Sequence, residues 1–255
     1  MKKVLLLEPN YSNKYPPIGL MKIATYHRNR GDWDIVFYKG DLKTFVIERI
    51  ADKCIADFIK IDDSIAWITK KDLFIESIRN RNRINDEKLE LEKSNFQIIL
   101  TGILDDYKKY FRNGKWKQEP EWDRIFVTTL FTFYWDITVE TIEFAKWLVK
   151  DIKNLMVGGV LASIQPEELE KATGIKPFVG VLNTPGQLDE GDTQIIDSLP
   201  LDYSILDEID YKYPMSNAYY GYMTRGCIRN CAFCAVKTME PEYVPYNNHN
   251  YHYIL

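Results

Sequence analysis

The chain has 255 residues, of which 45% are hydrophobic and 27% charged; that is globular composition and excludes a disordered or low-complexity protein. With 33 Lys and Arg against 37 Asp and Glu, the formal net charge is -4, so no global field favours nucleic acid or an anionic membrane surface as a partner. The apolar runs are too short to span a bilayer. At the start, Glu8 follows only the four apolar residues 4–7, too few for a signal peptide, and a cytoplasmic protein is expected.

Residues 4–7 form a continuous apolar run of strand length. The loop 8–19 carries Pro9, Pro16 and Pro17. Residues 18–30 place Leu20, Ile23, Ala24 and His27 at helical spacing, and Gly31 closes that helix. Residues 33–38 return as a second strand. Strand, helix and strand in so short a stretch make a βαβ unit and predict a parallel sheet. Across 41–120 the rhythm changes. Phe45, Ile47, Ile50, Ile55, Phe58, Ile59, Ile65 and Ile68 are spaced for helices, a further helix is expected over 96–110, and Asn113-Gly114 marks a turn. This stretch is expected to be a helical insertion packed on the sheet edge.

The alternation then resumes. A strand is expected at 125–130 and a helix at 138–150 with Ile142, Ala145, Trp147 and Leu148 on its apolar side. Another strand at 154–157 ends in Gly158-Gly159. A helix follows at 166–172, whose Glu167, Glu168 and Glu170 suit its positive N-terminal end, and then a short strand at 178–182. The predicted fold class is α/β: a Rossmann-like, doubly wound, mostly parallel sheet of about five strands over 1–182. Residues 183–217, with Pro185, Pro200 and Pro214, read as an irregular linker, and 218–224 as a strand leading into the cysteines.

Of four cysteines, Cys54 stands alone and is expected to be a buried small apolar residue on a helix. Cys227, Cys231 and Cys234 fall in one short segment with the spacing Cys-x3-Cys-x2-Cys. Clustered thiols in a reducing compartment suggest a metal and not disulfides. Three sulfurs on one short loop can take three corners of a cubane cluster. A structural zinc would want a fourth ligand, which His249 or His252 could supply.

The segment Arg225-Gly226-Cys227-Ile228-Arg229-Asn230-Cys231-Ala232-Phe233-Cys234 resembles the signature of the radical S-adenosylmethionine (SAM) superfamily, Cys-x3-Cys-x-aromatic-Cys. The resemblance implies that Cys227, Cys231 and Cys234 hold a [4Fe-4S] cluster whose open iron binds SAM. It also implies that Phe233 lies near the adenine, and that reductive cleavage of SAM yields a 5'-deoxyadenosyl radical. A reductant such as flavodoxin or ferredoxin is implied as partner. Arg225 and Arg229 are candidates to steady an anionic cofactor group, with solvent-facing arginine as the alternative.

The order of α/β domain, linker and cysteine motif further resembles the B12-binding class of these enzymes, in which a cobalamin-binding Rossmann-like domain comes first. The local likenesses are Tyr15-Pro16-Pro17-Ile18-Gly19-Leu20, then Phe131-Thr132-Phe133 with Glu140-Thr141, and Val157-Gly158-Gly159 followed by Ser163 and Pro166. Pro17, Gly19, Gly158 and Gly159 are thereby the candidate cobalamin contacts. One departure stands out. The Asp-x-His-x-x-Gly motif that supplies a cobalt-ligating histidine is absent, since the histidines are His27, His249 and His252 and none has that context.

A complete radical SAM barrel needs roughly 200 residues at about 30 per βα unit. Only 21 follow Cys234, so 218–255 is expected to be the start of that domain, completed elsewhere, for instance by a second chain. The chain alone is then expected not to be catalytically complete, and no residue here selects a substrate. Two alternatives stay open: a non-enzymatic cobalamin- or ligand-binding module with a vestigial cysteine loop, and a structural zinc protein.

Overall fold

The computed structural model describes residues 1–245 apart from 32, 81–83, 216–217 and 233. The chain divides into two compact units, one made of Met1–Gly40 with Glu121–Leu255 and the other of Asp41–Pro120.

In the first unit, β1 (Lys2–Glu8), α1 (Ile18–Arg30) and β2 (Trp33–Lys39) form the opening βαβ motif. The second unit contributes α2 (Leu42–Ile61), α3 (Lys71–Arg79), α4 (Ile84–Lys88) and α5 (Gln97–Arg112). The first unit then continues through β3 (Arg124–Thr129), α6 (Trp135–Ala145), β4 (Leu155–Gly159), α7 (Val160–Ile164), α8 (Pro166–Thr173) and, past the cysteines, α9 (Val236–Met239). The four strands make one all-parallel sheet in the order β2-β1-β3-β4. That order is compatible with a Rossmann-like fold.

The sheet forms where it does because β1 is apolar on both faces. Val4, Leu5, Leu6 and Leu7 are all buried, as a central parallel strand requires. Val4 and Leu6 point to one side, where they meet Ile35, Phe37 and Phe126 of the neighbouring strands and Leu20, Met21, Ile23 and Ala24 of α1. Leu5 and Leu7 point the other way by the strand's period of two and are equally buried. Gly31 ends α1 in the left-handed conformation at φ 72°, with its N–H on the carbonyl of Arg28.

In the second unit, α2 is capped by Asp41, whose carboxylate accepts the N–H groups of Lys43 and Thr44. Its core holds Phe58, Trp67 and Phe74 edge to face, with Phe58 centroids 5.2 and 4.9 Å from the other two. Cys54 is fully buried on α2, and burial pushes its thiol pKa up. Ile59 and Ile68, placed with the helical apolar set by their spacing, are exposed, and Trp67 takes the buried position instead.

Four expectations need correction. Residues 178–182 form no strand; only the Phe178 N–H reaches the carbonyl of Val157, at 2.7 Å, and Gly180 then turns away at φ 87°. Residues 218–224 form no strand either, because no neighbouring strand pairs with them among the described residues. Nearby, the described residues show an isolated antiparallel bridge between Arg225 and Val244. The stretch 183–215 is packed and not a free linker: it holds 3-10 turns at Ile196–Ser198 and Tyr203–Glu208, and Ile196, Ile205, Ile209 and Tyr213 are buried in the same cluster as α1 and β1. The helix expected over 138–150 runs over Trp135–Ala145, leaving Trp147 half-exposed. Among the described residues no helix is long and apolar enough to cross a membrane.

Candidate functional site

The strand order puts a topological switch between β1 and β3: the chain leaves β1 for β2 on one side and returns to β3 on the other. Open α/β sheets bind ligands outside the carboxyl ends of the strands at such a point. Pro17, Gly19, Phe131, Gly158 and Gly159 all lie at that edge, on the segments that follow β1, β3 and β4 or end them.

Two charged residues close the strands there. Glu8 ends β1, Lys39 ends β2, and the parallel register sets them side by side. Both side chains are buried, with Lys39 Nζ 3.4 Å from Glu8 Oε2. Asn13 bridges them, donating from Nδ2 to Glu8 Oε1 at 2.7 Å and accepting from Lys39 Nζ at 2.7 Å. Tyr213 donates its hydroxyl to Glu8, and the Tyr211 ring lies 4.5 Å from the lysine nitrogen. Burial pushes the Glu8 carboxyl up despite Lys39, and pushes the Lys39 ammonium down despite Glu8. Each is driven toward its neutral form by desolvation, and the shared hydrogen bonds keep the cluster satisfied.

Beside this cluster Tyr11 is buried, shares a hydrogen bond with Thr138 of α6, and packs at a tilt of 32° against Tyr134 with centroids 4.6 Å apart. Burial pushes its phenol up to about 12. Phe131 and Phe133 stack on each other at 5.4 Å and stand 52% and 74% exposed, an apolar shelf at the sheet's carboxyl edge.

The candidate glycines differ in what surrounds them. A Cβ at Gly19 would meet nothing within 4 Å, and one at Gly158 would only touch Phe178 at 3.9 Å. Gly159, at φ 111°, is used by the fold itself: a Cβ there would come within 2.4 Å of the Thr129 carbonyl oxygen. Thr129 Oγ1 in turn donates to the Gly158 carbonyl at 2.9 Å and accepts the Ala162 N–H at 3.0 Å. Ser163 ties α7 to the turn beyond it, donating to the Gly159 carbonyl and accepting the Gly180 N–H. Pro17 is buried and precedes the first turn of α1.

The cysteine segment is docked on this same edge. Tyr220 packs against Tyr15 of the β1–α1 loop, and α9 packs against α7. Cys227 and Cys234 are half-buried and Cys231 is exposed; all are free thiols. The Arg229 N–H points at Cys227 Sγ at 3.4 Å, and the Cys234 N–H bonds the Cys231 carbonyl at 3.1 Å. Three soft sulfur donors with no disulfide among them fit an iron–sulfur cluster in ligand chemistry. Among the described residues, however, no three His, Cys, Asp or Glu side chains are gathered as a metal site. Phe233, His249 and His252 lie outside the described residues.

Arg225 neither faces solvent nor aims at the thiols, since its guanidinium is committed to Asp197 and Glu240. Arg229 is exposed. His27 is a core histidine, boxed by Tyr26, Trp33 and Phe126 at 5.2, 4.7 and 5.5 Å between centroids. Burial, with nearby Arg124, pushes its pKa down to about 3.

The residues missed from the sequence are Glu8, Asn13, Lys39, Tyr213, Asp197 and Glu240. A signal for two of them was present: a lone charge ending each of two apolar strands. No family model matches the chain, and no curated protein or solved structure does either.

Proposed function

We propose that the chain is the N-terminal part of a radical SAM enzyme of the B12-binding class. In this reading a doubly wound, cobalamin-binding-like α/β domain precedes the start of the SAM-binding domain. The observation that carries it is the seating of a Cys-x3-Cys-x2-Cys loop with three free thiols at the carboxyl edge of a parallel sheet. Cys227, Cys231 and Cys234 would hold a [4Fe-4S] cluster, and Phe233 would lie against the adenine of SAM. When bound, the cluster supplies one-electron reduction of SAM and so a carbon radical that abstracts hydrogen from substrate.

The chain's own residues do the holding. The half-buried positions of Cys227 and Cys234 partly shield their sulfurs, and the Arg229 N–H offers a hydrogen bond to a thiolate at 227. At the sheet edge the Phe131–Phe133 shelf, with room at Gly19 and Gly158, offers an apolar face to a large planar cofactor such as cobalamin. The paired Glu8 and Lys39 leave no net charge in the base of that edge. Cytoplasmic location, an external reductant and completion of the barrel by further residues or a second chain belong to the same proposal.

The test is anaerobic reconstitution with iron and sulfide, beside a variant with Cys227, Cys231 and Cys234 all changed to Ala. The expected result is about four irons per chain with a thiolate–iron absorption band, both lost in the variant. Iron below one per chain, with tightly held zinc in its place, would overturn the assignment.

A further inference from the structure

The cysteine loop is closed at its base by contacts that ligand assignment alone leaves unexplained. Arg225 stands two residues before Cys227, and Glu240 lies beyond Cys234, just past α9. One Arg225 nitrogen donates to Glu240 Oε1 at 2.6 Å, while the other Glu240 oxygen accepts the Gly226 N–H at 2.7 Å. The main chains pair as well: the Arg225 N–H bonds the Val244 carbonyl at 3.1 Å and the Val244 N–H returns to Arg225 at 2.9 Å. Gly226 makes the approach possible. Its φ is 63°, and a Cβ would stand 2.1 Å from the Glu242 carbonyl oxygen.

The same guanidinium reaches out of the loop. Its second nitrogen bonds Asp197, and the Tyr222 ring lies 3.9 Å from its central carbon. Asp197 is held from the other side by Lys22 of α1 at 2.8 Å. Burial pushes the Asp197 carboxyl up, but Arg225 and Lys22 outweigh it and keep it charged. Lys22, Asp197, Arg225 and Glu240 thus alternate in sign, and the Lys22 and Arg225 side chains are only 5% and 11% exposed. A planar fork that meets two carboxylates while its face rests on a ring is a fixed geometry, and lysine cannot reproduce it.

We propose that Arg225 and Glu240 are positioning residues: a clasp that closes residues 226–240 into a loop before any metal arrives, with Asp197 tying that loop to α1. A loop held shut at its base confines three thiols to a small volume, so that a metal binding all three orders less chain. What the loop presents rests on the cysteines being metal ligands, as proposed above; the closure does not.

The experiment uses the full chain, metal-free and anaerobic, as wild type, Glu240→Ala, Glu240→Gln and Arg225→Lys. Amide hydrogen exchange is read across 225–244, and cobalt(II) is titrated while the thiolate-to-cobalt band is followed. The wild type is expected to protect the Gly226, Arg225 and Val244 amides without metal. Glu240→Ala is expected to raise their exchange and weaken cobalt binding about 10-fold or more, with the far-ultraviolet circular dichroism unchanged. Glu240→Gln and Arg225→Lys should fall between, since each keeps part of the set. Unchanged exchange in Glu240→Ala overturns the clasp, and so does equal cobalt affinity in a loosened loop. If the wild type shows no thiolate–cobalt band, the cysteine-ligand reading fails, and the exchange data alone decide the closure.

Discussion

His27 has both ring nitrogens buried without a hydrogen-bond partner, among three aromatic rings. A neutral imidazole tolerates that box and an imidazolium does not, which is why its pKa falls to about 3. The consequence for stability has a definite sign. Below pH 6.5 the unfolded chain takes up a proton that the folded chain refuses until about pH 3, so stability falls as the pH drops through that window. Between pH 6.5 and 5 this one residue should cost roughly 1.6 kcal/mol. Urea unfolding of wild type and His27→Phe at several pH values checks it: the variant should lose that much less over the interval. Parallel slopes would show that His27 does not titrate as described. The helical spacing of Leu20, Ile23, Ala24 and His27 left this histidine open to a surface or a core position; its burial and its unmet nitrogens could be seen only with the rings in place.

At the scale of elements, the sheet and its first crossover were legible because their signals are local. An unbroken apolar run makes a strand that must be covered on both faces, and a proline loop followed by a 3.6 period makes the crossing helix. The segment after 178 was misread for the opposite reason. Pro185, Pro200 and Pro214 mark the absence of long elements, but short 3-10 turns and extended backbone can still carry apolar side chains into a core, and Ile196, Ile205, Ile209 and Tyr213 do so. Sequence spacing has no periodicity with which to announce such packing. Ile205 is fully buried, so Ile205→Ala should cost about 2–4 kcal/mol, read from the denaturation midpoint at unchanged slope. A cost below about 1 kcal/mol would mean that this stretch is a tether and not part of the fold. The strands expected at 178–182 and 218–224 fail on a related point: a strand is a relation between two segments, and β propensity in one says nothing of a partner.

For the molecule as a whole, the core of the first unit is built without any cysteine, and Cys54 lies in the core of the second. Cys227 and Cys234 are half-buried and Cys231 exposed, so the metal-free fold should hardly register their loss. Metal-free wild type and the triple Cys→Ala variant should melt within about 2 °C of each other in thermal scans with a chelator. A much larger drop, or unfolding of the wild type on chelation, would favour a structural zinc site in which metal binding and folding are one process. The ligand pattern itself was plain in the sequence, because three cysteines in one short segment need no tertiary contact to be noticed.

The α/β class, the parallel crossover, the helical character of 41–120 and the cysteine spacing could all be read from the residues alone. All of these are written in local periodicity, turn residues or short-range spacing. It took the folded molecule to show that Glu8 and Lys39 meet at adjacent strand ends, that residues 183–215 pack, and that Arg225 pairs with Asp197 and Glu240. Each of those depends on register or on contacts between distant segments. A charged residue carries no mark in the sequence of which opposite charge will share its burial.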